Sequence, residues 1–214
     1  LAGEALDLPK GSEVITAAFT FATTVTPILK NNLIPVFIDS EKDTLNIDAS
    51  RVERFINKRT SALWIPNMLG NVPDWDIIKE IADKYNLLVL EDSADTLGGT
   101  LRGKPTGLRS DVSICSFYGS HIINCAGNGG WVGFNDEKIA RKARLLRSWG
   151  RTSSIFTDIL ESESLVNRFN IHLDGIPYDA KFVFEYPGYQ MEPSEMGAAF
   201  GLVQLSNFEK VKEK

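Results

Sequence analysis

The sequence predicts an α/β protein, a three-layer α/β/α arrangement around a mostly parallel sheet. Short apolar runs of strand length alternate with amphipathic stretches of roughly ten residues, the spacing of crossovers between parallel strands. Hydrophobic residues make up 43% of the 214 positions, ample for a buried core. A formal charge of −5, with Lys and Arg scattered along the chain, argues against a nucleic-acid surface or a basic membrane-facing patch.

The elements follow in order. Leu1 to Leu6 reads as the last turns of a helix, and Pro9-Lys10-Gly11-Ser12 as a turn into a short strand, Glu13 to Thr16. Phe21 to Lys30 has helical spacing through Val25, Ile28 and Leu29, with Pro27 tolerated only near the first turns. Ile34 to Asp39 is nearly all apolar, the pattern of a strand covered on both faces. A helix capped near Asp48 runs from Ala49 to Asn57, and Ala62 to Ile65 is another buried strand. Asp74 opens a helix through Tyr85 with Ile77, Ile78, Ile81 and Ala82 on one face. Leu87 to Leu90 is a strand that enters Glu91-Asp92, and Val112 to Cys115 is a strand that enters Ser116. Trp131 to Phe134 returns after a glycine-bearing reversal. A basic amphipathic helix spans Asp136 to Trp149, and Arg151 to Tyr189 shows no readable element. Glu192 to Phe208 is a helix whose Ala198, Ala199 and Gly201 suggest close packing. Val211 to Lys214 stops inside a running helix, so a piece of a longer protein is expected.

Cys115 and Cys125 have no CxxC spacing, which suits neither a disulfide scaffold nor a zinc or iron–sulfur site. No apolar run approaches the ~20 residues that span a bilayer. Nothing at the start resembles a signal peptide, and the cytoplasm is the expected location.

Ligands of open α/β sheets sit beyond the carboxyl ends of the strands, where Asp92 and Ser116 both fall. A carboxylate there can hold a protonated ring nitrogen by a charge-assisted bond, or simply cap the turn that follows; on the motif alone the two readings are even. The Ser116–Gly130 loop adds His121, which on its own is a loop-stabilising residue as readily as a base.

Taken together these residues resemble the sugar aminotransferase branch of the fold-type-I pyridoxal-phosphate enzymes, the DegT/DnrJ/EryC1/StrS family. The resemblance runs through Glu13-Val14-Ile15-Thr16, Phe19-Thr20-Phe21, Ile34 to Asp39, Glu91-Asp92, Ser116-Phe117-Tyr118, Gly127-Asn128-Gly129-Gly130, Arg147 to Arg151 and Gly188-Tyr189-Gln190. It implies the aspartate aminotransferase-like large domain across residues 1–214, lacking the phosphate-gripping N-terminal loop and the small C-terminal domain. It implies a homodimer, a nucleotide-linked keto sugar as substrate, and an amino donor such as glutamate. Pyridoxal 5′-phosphate or pyridoxamine 5′-phosphate is the implied cofactor. Asp92 would pair with its ring nitrogen, Phe21 would stack on the ring, and Ser116 would bond the phosphate. Asp95 stands where aminotransferases often carry a Gln near the ring oxygen. Gln190 replaces an Asn that reaches the neighbouring subunit's phosphate.

His121 lies where the family's Ser-Phe-x-x-x-Lys loop places the Schiff-base lysine. Imidazole cannot form that tether, yet it is a competent general base near neutral pH. Within the family, His at this position resembles the nucleotide-sugar 3-dehydratases. Thr152 to Thr157 holds no cysteine where the iron–sulfur kind supplies cluster ligands, so a cofactor-only route is expected. An aminotransferase with an unexpected lysine and a non-catalytic homologue are the rivals. Trp64, Asn67, Gly70 and Asn71 are further candidates for a sugar pocket, turn chemistry explaining them almost as well. The run Lys138 to Arg151 reads as a solvated helix face, and His172 as a surface residue.

Overall fold

Short β-branched and aliphatic runs build the strands of the computed structural model, which describes residues 1–156 and 159–212. In chain order come α1 (Ala2–Leu6), β1 (Glu13–Ala17), α2 (Ala22–Lys30), β2 (Ile34–Ile38), α3 (Ala49–Val52), β3 (Thr60–Pro66), α4 (Trp75–Tyr85) and β4 (Leu88–Asp92). A two-stranded hairpin of β5 (Thr100–Leu101) and β6 (Lys104–Pro105) precedes β7 (Val112–Ser116) and β8 (Gly130–Phe134). Then follow α5 (Glu137–Arg147), α6 (Ile159–Glu163), α7 (Leu165–Arg168), β9 (Ile171–Leu173), β10 (Ile176–Tyr178), α8 (Glu195–Ser206) and α9 (Phe208–Lys212). Among the described residues no helix is long and apolar enough to cross a membrane.

The chain divides into two compact units. The larger holds Asp7–Asn135 and Pro193–Lys214 and contains a six-stranded sheet in the order β2-β1-β3-β4-β7-β8. Every pairing is parallel except β7 with the edge strand β8, the mostly parallel α/β sheet expected. Alternating side chains serve both faces. Ile15, Leu63, Ile65 and Val89 pack with Trp75, Ile78 and Ala82 of α4 and with Val52 of α3. Val14, Ala62, Trp64 and Leu90 alternate with them and are equally buried. Ile28 of α2 is fully buried outside the first cluster.

Three expectations need correction in this unit. β2 is not covered on both faces: it is the sheet's edge, paired only with β1, and Ile34 and Phe37 are exposed. The helix after Asp48 is shorter than expected, because a 3₁₀ turn over Glu53–Phe55 ends at Ile56 in an extended conformation. On α8 the close packing comes from Gly197 and Gly201, not from Ala198 and Ala199, which are exposed. A Cβ on Gly201 would come within 2.6 Å of Cys125 Sγ, so only glycine lets the helix approach this loop.

The smaller unit, Leu1–Leu6 with Asp136–Glu192, is built on α5, which Asp136 caps by accepting from the backbone N–H groups of Lys138 and Ile139. The expected helix to Trp149 stops at Arg147, since Trp149 and Gly150 both take positive φ. The basic run is more than a solvated face: Arg141 is bidentate to Glu185, and Arg147 meets Glu192. The stretch read as featureless holds 3₁₀ turns, two short helices and the β9–β10 hairpin, each too short to show a period in sequence. Thr157 lies outside the described residues, as does the end of the helix expected to run through Lys214.

Candidate active site

β4 and β7 are adjacent and parallel, so they deliver Asp92 and Ser116 to the same sheet edge. The loop after β7 returns through Phe117 N–H to Gly129 C=O and Cys125 N–H to Phe117 C=O, which holds the His121 turn against the strand end. Helix α2 begins one residue after Phe21. The elements enclose a cavity of about 640 Å³ within the larger unit. Phe21, Asp92, Asp95, Ser116 and His121 all line it. Gln190 belongs to the smaller unit, where its backbone bridges Ser148.

Asp92 is 9% exposed. Burial pushes its carboxyl above the ordinary range, and a hydrogen bond from Thr24 Oγ1 at 2.8 Å opposes that rise. Ala94 N–H also reaches the carboxylate, at 3.2 Å, so the turn-capping role and the cavity-facing role coexist. Phe21 is 71% exposed at the cavity wall. Ser116 Oγ accepts from Tyr118 N–H at 3.2 Å, which leaves its own O–H free to donate. His121 Nε2 lies 3.4 Å from Asp95 Oδ1, and the Tyr118 ring stands edge-on to the imidazole.

Three contributors escaped the sequence reading. Thr24 holds Asp92, Tyr118 walls His121, and Thr20 lines the cavity with a buried hydroxyl that has no partner. Thr20 precedes Phe21 and Thr24 follows it by three residues, a signal visible only once Thr24 is seen to meet Asp92. The sugar-pocket candidates fare differently. Trp64 is core, and Asn71 donates to Thr44 C=O at 3.1 Å. Asn67 reaches the cavity wall, but its amide is committed to Glu91 at 2.9 Å and to Ser93 at 2.7 Å, while its oxygen accepts from Trp75 Nε1. Lys104 is exposed in β6, and His172 is exposed in β9.

These residues suit a flat cationic ring bearing an anionic arm. A buried carboxylate lies at one wall, an exposed phenyl ring at another, and Ser116 offers a hydroxyl donor.

Known proteins share this chain's sequence and fold. It is 39% identical over 206 residues to the dTDP-4-dehydro-2,6-dideoxy-D-glucose 3-dehydratase of Saccharopolyspora spinosa, a match that covers 95% of this chain and 44% of that protein. The GDP-4-keto-6-deoxy-D-mannose-3-dehydratase of E. coli, solved with bound hydrated PLP, superposes with a TM-score of 0.82 at 27% identity, over 98% of this chain and 54% of that one. An aminotransferase from Psychrobacter cryohalolentis superposes with a TM-score of 0.81 at 28% identity, over 98% and 49%. The chain thus spans about half the length of the relatives it matches. The model of the DegT/DnrJ/EryC1/StrS aminotransferase family matches residues 1–214 from end to end, and the chain belongs to that family.

Proposed function

We propose that this chain carries the cofactor site of a nucleotide-sugar 3-dehydratase that acts on a 4-keto-6-deoxy sugar with His121 as its base. The observation that carries the reading is a histidine beside the buried Asp92, in a cavity with no lysine among its described lining residues. The 3-dehydratase relatives support the same reaction class.

Pyridoxamine or pyridoxal phosphate, when bound, supplies an electron-accepting pyridinium ring. Asp92 would hold the ring nitrogen protonated, because a buried anion would gain a cationic partner that offsets its desolvation. Phe21 would support the ring face, and the Ser116 hydroxyl would donate to the phosphate. His121 would take a proton from the cofactor's aminomethyl carbon, whose electron pair expels the hydroxyl at sugar C3, and return that proton to the hydroxyl, which leaves as water. Lacking a lysine tether, the site retains its cofactor by these non-covalent contacts alone. An amino donor such as glutamate restores the amine form, and two chains assemble as a homodimer, with Gln190 directed to the partner's phosphate.

The test is His121→Ala in the full-length enzyme, with cofactor absorbance and sugar deoxygenation both measured. Cofactor binding should persist while turnover falls by about 10²- to 10⁴-fold, the span of general acid–base catalysis. Undiminished deoxygenation would remove His121 as the base. A borohydride-stable lysine adduct would instead assign the protein to amine transfer.

A further inference from the structure

The turn after β3 is held from several sides. Asn67 N–H donates to Asp92 C=O at 2.9 Å, and the Thr96 hydroxyl donates to Asn67 C=O at 3.3 Å. Met68 N–H donates at 3.0 Å to Oδ1 of the buried Asn46, and Asn71 N–H closes the turn on Met68 C=O at 2.9 Å. Between these fixed points Leu69 takes φ 54° and ψ 32°. That left-handed conformation crowds the Cβ of a bulky residue, whereas glycine or asparagine adopts it at less cost. Leu69 is also 62% exposed, so its side chain adds little to the core. Among the described residues other than glycine with positive φ, only Leu69 lines the cavity.

A costly backbone with little return in packing points to a use at the cavity. What the end of β3 and its turn bring to that wall is largely apolar: Pro66, Met68 and Leu69 line it. The side chain of Asn67 is spent on Glu91, Ser93 and Trp75, and that of Asn71 donates to Thr44 C=O. A sugar hydroxyl set against Leu69 would lose water without gaining a partner from that side chain, whereas a methyl group would give up no hydrogen bond. We propose that Leu69 is a specificity-determining residue whose side chain receives the C6 methyl of the 4-keto-6-deoxy sugar and disfavours a hydroxymethyl group there. The inference rests on the reading of the cavity as a nucleotide-sugar site. The C6 methyl is the one methyl group on such a sugar ring, so it is the group an apolar wall can select.

The test offers the full-length enzyme two nucleoside-diphosphate 4-keto sugars that differ only at C6, one methyl and one hydroxymethyl. Wild type should favour the methyl sugar by about 10²-fold in kcat/KM, the reach of an apolar wall against an added hydroxyl. Leu69→Ala should narrow that preference by about 10-fold by slowing the methyl sugar. Leu69→Asn should narrow it further, because its amide also offers the hydroxyl a partner. Asparagine and glycine take the left-handed backbone readily, so Leu69→Asn and Leu69→Gly should melt at or above the wild-type Tm. A lower Tm in both would make Leu69 a packing residue and overturn the proposal. So would a C6 preference unmoved in Leu69→Ala and Leu69→Asn, or a loss confined to cofactor absorbance. An enzyme that transfers an amine, yet loses its C6 preference in these variants, refutes the dehydratase reading and keeps the role of Leu69. Deoxygenation with an unmoved preference keeps that reading and removes Leu69 from it.

Discussion

Alternation along β4 sends the carboxylates of Glu91 and Asp92 to opposite faces of the sheet. Glu91 is fully buried and spent: it accepts from Asn67, from Ser93 Oγ at 2.7 Å and from Gly107 N–H at 2.7 Å. Asp92 has fewer partners for its burial, the Thr24 hydroxyl and Ala94 N–H, and burial raises its carboxyl. The sign of its pH dependence follows. A carboxyl raised on folding contributes stability that is fully present below its unfolded value, near 3.8, and is lost as pH rises through the folded value. Asp92→Asn should therefore raise the Tm of the ligand-free chain at pH 7, with the gap to wild type closing below about pH 4. The same variant should lose cofactor binding, read by absorbance. An unchanged Tm at pH 7 would show that Thr24 already balances the burial. In sequence Asp92 and His121 stood out by residue type and strand-end position. Thr24 did not, because a threonine inside a helix means nothing until its hydroxyl is known to reach the end of β4.

Helix α4 shows how far element-level reasoning reached. Its start at Asp74 and three positions of its apolar face were legible because the cap and the 3.6-residue period are local signals, whereas Ile77, expected on that face, is exposed and Trp75 is buried in its stead. The cap does more than sequence could tell. Asp74 accepts from Asp76 and Ile77 N–H, and Arg102 of the β5–β6 turn grips it in a bidentate pair at 2.7 and 2.9 Å. The Arg102 hydrogen bond holds its carboxyl at about 2, from an ordinary 3.8. A depressed carboxylate contributes stability above its unfolded value, and that contribution fades as pH falls toward about 2. Asp74→Ala should cost about 1 kcal/mol for the cap, with any loss of the exposed ion pair small beside it. Asp74→Asn keeps the cap, so its smaller deficit in urea melts should vanish between pH 4 and about 2. The 3₁₀ ending after α3 and the edge exposure of β2 escaped the sequence, since both depend on what lies alongside. Periodicity reports which side chains are apolar and stays silent on which strand lies outermost.

At the scale of the whole molecule, the chemistry concentrates in one unit and a different kind of constraint in the other. All the cavity-lining candidates belong to the larger unit, while the smaller is held by close backbone approach. Gly150 has φ +77°, donates to Leu145 C=O and accepts from Glu185 N–H; a Cβ there would sit 1.8 Å from Tyr186 O. Gly150→Ala should destabilise this unit by more than about 2 kcal/mol, seen as lost hydrogen-exchange protection between residues 136 and 192. Protection equal to wild type would show that the Tyr186 carbonyl can move aside. The mostly parallel sheet was legible from alternation of strands and helices, whereas the division into two units was not, because it is a property of which segments touch. The Thr24–Asp92 hydrogen bond joins residues 68 positions apart, across two parallel crossovers. Contacts of such separation form after chain-closure entropy has been met, and parallel pairings are the slow ones to arrive. The cavity thus comes into being only when β1, β3, β4 and β7 have aligned, so its walls are completed among the last contacts of the larger unit.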